Sequence, residues 1–159
     1  MTGPGDIRAR LPHRYPILLV DRVLEVVPGE RIRTLKAVTV NEPWYRDVPE
    51  DTADAGFAYP TALLIESWCQ SAALLAGWDL PAAATADRVA LFGGMTDLVV
   101  TGSVWPGDVV RNEVVLTRSL GDTWIFGGSS RVDGEPRLSV GTVMTALRPA
   151  SVLTGAAPG

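Results

Sequence analysis

A glutamate and a glutamine stand four residues apart in an otherwise apolar segment, TALLIESWCQSAALLA. In a helix, Glu66 and Gln70 would share one face, where the amide can hydrogen-bond the carboxylate. An ionised carboxylate in a dry helix is costly unless it is paired or lines a polar cavity. We therefore interpret Glu66 as a carboxyl group whose raised pKa lets it exchange protons near neutral pH. The alternative is a glutamate at an exposed helix edge, without a role.

The elements around Glu66 predict an α+β fold. Pro60 and Thr61 open a helix that ends at Gly77, and its apolar residues on nearly every side favour a buried helix. A curved antiparallel sheet wrapped around that helix would bury it. Alternating apolar residues and turn dipeptides predict the strands. They are Ile17–Val27, Arg31–Val40, Val89–Phe92, Asp97–Trp105, Val109–Ser119, Thr123–Val132 and Arg137–Leu147.

Length and composition fit one globular domain. The 159 residues are 47% apolar and 20% charged, and we expect a domain over residues 11–148 between flexible ends at 1–10 and 149–159. A net charge of −4 argues against nucleic acid as the partner. The single cysteine, Cys69, excludes an intrachain disulfide and fits the cytoplasm. The longest apolar run contains Glu66 and Gln70 and does not predict a membrane span.

Several motifs then occur in a fixed order: LPHRYPILLVDRVLEVVPGERI, VTVNEPWY, YPTALLIESWCQSAALLAG, GSVWPGDVV and VDGE. Together they resemble the β-hydroxyacyl-ACP dehydratases of bacterial fatty-acid synthesis, a family with the hot-dog fold. The resemblance covers roughly Leu11 to Leu147. It implies a dimer whose two sheets pair edge to edge, an acyl tunnel at the dimer interface and an acyl-carrier protein that delivers the thioester. It implies no cofactor.

The resemblance also assigns roles to residues. In the family, a histidine takes the α-proton and a helix carboxylate of the other subunit protonates the leaving β-hydroxyl. Glu66 occupies the position of that carboxylate, and Gln70 that of a glutamine that steadies it. Thr61 replaces a helix-start glycine whose backbone N–H polarises the thioester carbonyl, and its side chain could crowd the tunnel. Tyr59 and Pro60, just before it, and Asp47 in the preceding loop are further candidates for substrate binding.

The catalytic histidine of the family is missing at its usual place. The family has Gly-His-Phe-Pro-Gly after its Asn-Glu-Pro segment, whereas this chain has RDVPE and about four extra residues before Tyr59. Asp47, or Val48 with another gap placement, takes the histidine's position. Aspartate is a weak base for an α-proton, and valine has no proton chemistry. The single histidine, His13, lies in the LPHRYP segment, where the family's histidine is not catalytic and a structural hydrogen bond is the commoner role.

Three functions are compatible with this pattern. The first is a dehydratase subunit that supplies Glu66 while a homologous partner supplies the histidine, in a polyketide or other fatty-acid-type secondary pathway. The second is a non-catalytic acyl-ACP-binding scaffold, which Thr61 and the insertion favour. The third is a hot-dog acyl-thioesterase that uses Glu66 without a histidine. We favour the first, narrowly over the scaffold.

Overall fold

The computed structural model describes residues 2–80, 88–149 and 151, in which an antiparallel sheet packs against one long helix. Its strands follow the order β1-β2-β4-β5-β6-β3. Helix α2 lies against β2, β4, β5 and β6, as the predicted α+β architecture requires. The helices are α1 (Pro4–Arg10) and α2 (Thr61–Ala76), with short 3-10 turns at Pro43–Tyr45 and Asp54–Phe57. The strands are β1 (Arg22–Val27), β2 (Arg31–Ala37), β3 (Arg88–Val100), β4 (Val109–Leu120), β5 (Thr123–Val132) and β6 (Glu135–Pro149).

Helix α2 begins and ends where the sequence predicts. Pro60 is its N-cap, and the backbone N–H of Gly77 closes the C-terminus by donating to the carbonyls of Ala73 and Leu75. Its apolar side chains fill the core between helix and sheet, as expected for a helix without a polar face. The fully or nearly fully buried ones are Leu64, Trp68, Cys69, Ala72, Leu74 and Leu75.

A cluster of buried polar side chains fixes how α2 lies on the sheet. Thr34 of β2 hydrogen-bonds Ser71 of the helix at 2.7 Å, and Asn112 of β4 donates to Ser67 at 3.3 Å. Ser130 of β5 donates to Asn112 at 2.7 Å. All five side chains are at most 1% exposed. Buried polar groups are costly when unpaired, so the helix is held in the rotation that pairs these hydroxyls and turns Glu66 away from the sheet.

The N-terminal segment differs from the prediction. Residues 1–10 were expected to be flexible, but the described ones, 2–10, are largely helical: Pro4 starts α1, and Ile7 is completely buried. Thr2 also exchanges two backbone hydrogen bonds of 3.1 Å with Val23 of β1. The burial of Ile7 offsets the loss of chain entropy that would otherwise leave a terminus loose. Of the predicted flexible C-terminus, only Pro149 and Ser151 lie within the described residues.

Two strand predictions also need correction. The first strand starts at Arg22 rather than Ile17, because the backbone of Ile17 and Leu19 hydrogen-bonds the Gln70 side chain instead of a neighbouring strand. The strands predicted at Val89–Phe92 and Asp97–Trp105 are one 13-residue strand, β3, which ends at Val100 and does not reach Trp105. Gly93 does not break it; the pairing with β6 only shifts register between Phe92 and Gly94, as a bulge does.

Strand β3 forms one end of the sheet, and its apolar surface is open. The exposed large side chains on it are Phe92, Leu98, Val99 and Val100. A long apolar edge strand invites pairing with another chain unless it is covered. No helix in the described part of the chain is long and apolar enough to cross a membrane.

Candidate active site

Glu66 leaves the buried helix on the side that faces the His13–Leu19 segment. Its Oε1 lies 3.3 Å from Nε2 of His13 and accepts a 2.9 Å hydrogen bond from Nε2 of Gln70. The Glu66 side chain is 34% exposed and that of His13 is 29% exposed. The carboxylate is therefore half-buried and paired, yet still reachable from outside.

Gln70 holds this arrangement together. It is 1% exposed. Its Oε1 accepts from the backbone N–H of Leu19 at 2.9 Å, and its Nε2 donates to the carbonyl of Ile17 at 2.7 Å as well as to Glu66. The amide thus satisfies two backbone groups of a segment that forms no strand. The same amide fixes the carboxylate relative to that segment.

The electrostatics of Glu66 differ from the sequence-based expectation. We expected burial to raise its pKa; instead its pKa is lowered, chiefly by the hydrogen bond from His13. Burial acts in the opposite direction, and the Gln70 hydrogen bond adds to the lowering. Stabilising contacts with the charged form outweigh desolvation here. The resting carboxyl is therefore ionised at neutral pH.

Cys69 lies near Glu66 but is not arranged for reaction. Burial, with a contribution from the Glu66 charge, raises the pKa of its thiol to about 12. A thiol with so little thiolate at neutral pH is a poor nucleophile. Its side chain packs in the core.

Tyr59, Pro60 and Thr61 form the entrance to helix α2. Tyr59 is 4% exposed, its N–H donates to Val104 O at 2.7 Å, and its hydroxyl has no hydrogen-bond partner among the described residues. Burial raises its pKa well above the usual range, so the phenol stays protonated. The carbonyl of Pro60 accepts from Leu63 and Leu64. Thr61 is exposed at the first turn, where helix N–H groups lack intrahelical acceptors.

Asp47 is not brought to the carboxylate. It is exposed in the loop after β2, and the polar contacts that Glu66 makes within the described residues are with His13 and Gln70. Val48, the other candidate for the histidine's position, is half-buried, and its N–H donates to Tyr45 O at 3.2 Å. Neither residue replaces the family's histidine beside Glu66 within this chain.

A groove lies on the loop side, and Glu66 is not among the residues that line it. It measures about 670 Å³ and is lined by Val40, Asp54, Ala55, Phe57, Trp105 and Pro106. None of these side chains contacts the carboxylate through a hydrogen bond or ion pair. Glu66 stays the candidate for the chemistry, because the groove offers one carboxylate and otherwise apolar walls.

The comparison with known families agrees with the residue pattern. Residues 11–139 match the model of the FabA-like domain. The chain belongs to the FabA-like family. Within it, the chain is 39% identical over 132 residues to the 3-hydroxyacyl-[acyl-carrier-protein] dehydratase FabZ of Aromatoleum aromaticum, covering 82% of this chain and 88% of that protein. The chain is therefore homologous to the FabZ dehydratases.

Solved structures confirm the hot-dog fold for this FabA-like chain. It superposes on the dehydratase heterocomplex ApeI:P from Xenorhabdus doucetiae with a TM-score of 0.76 and 18% identity, over 94% of this chain and 95% of that one. The fluoroacetyl-CoA thioesterase FlK matches with a TM-score of 0.59 and 14% identity, over 82% and 94% of the two chains. At these identities the likeness establishes the fold alone.

His13 is the site residue that sequence reasoning missed. Its family resemblance indicated a structural role, and nothing in local spacing connects it to the helix. One signal was available: it is the single histidine of the chain, and Glu66 the carboxylate that lacked one. Their contact depends on how Gln70 anchors the N-terminal segment, which the sequence does not display.

Proposed function

We propose that this chain is the carboxylate-bearing subunit of a dehydratase for β-hydroxyacyl thioesters carried by an acyl-carrier protein. The observation that carries the proposal is Glu66, held at the surface of a buried helix by Gln70 and accessible to a substrate. Membership of the FabA-like family and similarity to FabZ support the same reaction. A fatty-acid-type or polyketide pathway of secondary metabolism would supply such substrates.

The proposed reaction is an elimination of water. A base takes the α-proton, the electrons of that C–H bond form the carbon–carbon double bond, and the β-hydroxyl leaves with a proton from Glu66. Gln70 orients the acid. The free N–H groups at the start of α2, at Thr61, polarise the thioester carbonyl, and Tyr59 and Pro60 shape that turn. Contact of Asp47 with the substrate stays a prediction.

A homologous subunit supplies the α-base in this proposal. The loop after β2 carries no histidine, whereas Glu66 and Gln70 remain in place. The exposed apolar edge of β3 gives the partner a surface on which a continuous sheet can form. The structural similarity to a protein described as a dehydratase heterocomplex favours a heterodimer over a homodimer.

Reconstitution tests the proposal. The chain is co-expressed with each histidine-bearing hot-dog homologue encoded in the same genome, and the complexes are assayed for conversion of a 3-hydroxyacyl-ACP to the enoyl-ACP by mass spectrometry. We expect one homologue to bind and dehydration to require both chains. A stable homodimer, together with no homologue that binds and restores activity, would refute the heterodimer.

The edge strand provides a matched pair of variants. Val99→Lys places a charge on the open edge of β3, where Val99 is 52% exposed, whereas Leu120→Lys alters a similarly exposed residue, 59%, at the end of β4. We expect the first to abolish the complex in light scattering and the second to leave it intact. Equal effects of both variants would show that β3 is not the interface.

An acyl-thioesterase is the second candidate, and one observation favours it. Glu66 is ionised at rest, because the His13 hydrogen bond lowers its pKa, and an ionised carboxylate is the form that acts as base or nucleophile in hydrolysis. Release of free thiol from acyl thioesters, compared between the wild type and Glu66→Gln, separates this candidate from the dehydratase. Thiol release that disappears in the variant would support hydrolysis. Absence of both activities, with retained acyl-ACP binding, would indicate the scaffold.

A further inference from the structure

His13 makes a directed polar contact with the carboxylate of the proposed acid. Nε2 of its ring lies 3.3 Å from Oε1 of Glu66. The other ring nitrogen, Nδ1, is buried and has no hydrogen-bond partner among the described residues. A structural histidine is usually fixed through backbone hydrogen bonds. In this structure, the polar contact of the His13 ring is with the Glu66 carboxylate.

Both partners of the His13–Glu66 contact are held in position. Gln70 bonds the backbone of Ile17 and Leu19 and at the same time the Glu66 carboxylate, so ring and carboxylate are positioned by the same amide. Arg14, the next residue, directs its guanidinium to the carbonyls of Leu11 and His13 at 2.7 and 2.6 Å rather than to the carboxylate. The His13–Glu66 pair is therefore built into the fold and leaves the positive charge of Arg14 outside it.

The proposed dehydration needs a source of protons at Glu66. The carboxyl loses a proton to the leaving hydroxyl in every turnover, and at rest it is ionised, since its pKa lies below the ordinary value. The groups that face it include the Gln70 amide, which has no acidic proton at neutral pH, and the Cys69 thiol, whose pKa is raised to about 12. Among these neighbours, the His13 ring is the group placed to pass a proton to the carboxylate, since its Nε2 lies 3.3 Å from Oε1 of Glu66.

We propose that His13 returns a proton to Glu66 in each catalytic cycle. This role rests on the proposed dehydratase function and makes His13 a positioning residue that acts through the carboxylate. In the transfer, the N–H bond at Nε2 breaks and an O–H bond forms at Oε1, so imidazolium and carboxylate become neutral imidazole and carboxylic acid. The pair has zero net charge before and after, so the transfer adds no net charge to the half-buried site. His13, whose side chain is 29% exposed, takes its next proton from solvent.

Two substitutions separate proton transfer from simple support. His13→Gln keeps a side-chain amide able to donate a hydrogen bond to Glu66 but cannot release a proton, whereas His13→Leu removes both properties. Both are assayed in the full-length chain, in its active complex, on a 3-hydroxyacyl-ACP. We expect kcat to fall by about 100-fold in both variants, with KM changed by less than about 3-fold. A His13→Gln enzyme within about 2-fold of wild type would overturn the proton transfer.

The pH profile gives a second readout that a structural role would not move. Without His13, hydronium from solvent must protonate Glu66, so the residual kcat of both variants should rise as the pH falls. A profile parallel to that of the wild type would contradict the proposal. If the wild-type complex itself shows no dehydration, the proposed function fails and this role with it. Normal wild-type turnover with unaffected variants removes the His13 role alone.

The single histidine also permits a test that keeps His13 itself and so does not depend on how His13 variants fold. Labelling with ¹⁵N-histidine gives the ring signals of His13 alone. We expect Glu66→Gln to shift the Nε2 resonance strongly, and Glu135→Gln, an exposed carboxyl in the β5–β6 hairpin, to leave it in place. An Nε2 signal that ignores Glu66→Gln would show that the contact is absent in solution and would overturn the proposal.

Discussion

The helix side of the candidate site and the loop side are organised in different ways. On the helix side, the polar groups of His13, Glu66 and Gln70 bond one another and the backbone of a segment distant in sequence. On the loop side, the polar contacts join residues of the loop to one another and to the end of strand β2. Tyr45 donates to Phe57 O at 3.1 Å, and the buried pair of Lys36 and Glu42, 2.8 Å apart, holds its first residues.

The two sides are therefore suited to different tasks, the helix side to proton transfer and the loop side to contact with another molecule. The helix side presents an ionisable group with its hydrogen bonds satisfied, which is what proton transfer requires. The loop side presents an apolar groove, with Val40 62% exposed and Trp105 36% exposed, and leaves Asp47 in solvent. In the proposed dehydratase, this chain supplies the acid of the site from the helix side, while the loop is suited to contact a substrate chain or a partner.

The largest effect is expected on the helix side, from Glu66→Gln. The amide keeps the size of the side chain but has no acidic proton, so we expect kcat for dehydration to fall by about 100-fold or more. Glu135→Gln is the control, since its carboxyl is exposed at the β5–β6 hairpin, far along the chain. Comparable turnover of both variants would mean that Glu66 is not the acid.

Gln70→Leu should remove the hydrogen bonds that position Glu66, while the carboxyl group of Glu66 itself stays in place. The substitution leaves the N–H of Leu19 and the carbonyl of Ile17 without their partner, and an unsatisfied buried group destabilises a protein by about 2 kcal/mol. Urea denaturation measures this free energy of unfolding. A loss below about 0.5 kcal/mol, in the range of ordinary surface substitutions, would show that the segment is held by packing instead.

The pH dependence of stability should depend on Glu66. Its pKa in the folded chain lies below the ordinary value of 4.5, so its contribution is present above that value and is lost as the pH falls through the folded pKa. The Tm difference between the wild type and Glu66→Gln should therefore shrink on acidification from neutral pH. A constant difference would mean that His13 does not stabilise the ionised carboxylate.

The smallest effect is expected from Asp47→Asn, a substitution on the loop side. Asp47 is exposed and does not reach Glu66, so we expect a change in unfolding free energy within about 0.5 kcal/mol and kcat within about 2-fold. Steady-state kinetics over substrate concentration is the measurement. A clear rise in KM would instead indicate that Asp47 contacts the substrate. The loop side would then take part in the site together with the helix side.

Local chemistry made much of the fold predictable. The bounds of α2 follow from Pro60 and Gly77, and β5 occupies Thr123–Val132 as predicted because hairpin-turn dipeptides flank it. The prediction failed where a local signal was overruled. A gap was predicted between the strands Val89–Phe92 and Asp97–Trp105, but the long pairing with β6 continues β3 through it with a bulge between Phe92 and Gly94.

The sequence by itself determined that a carboxylate and an amide would share one face of a buried helix, because four-residue spacing and apolar composition act locally. The tertiary structure decided what that carboxylate meets. The buried hydroxyls and Asn112 set the rotation of the helix, and Gln70 draws the His13–Leu19 segment across it. Hydrogen bonds between residues far apart in the chain leave no periodic trace, so the partner that lowers the pKa of Glu66 became visible only when the chain was folded.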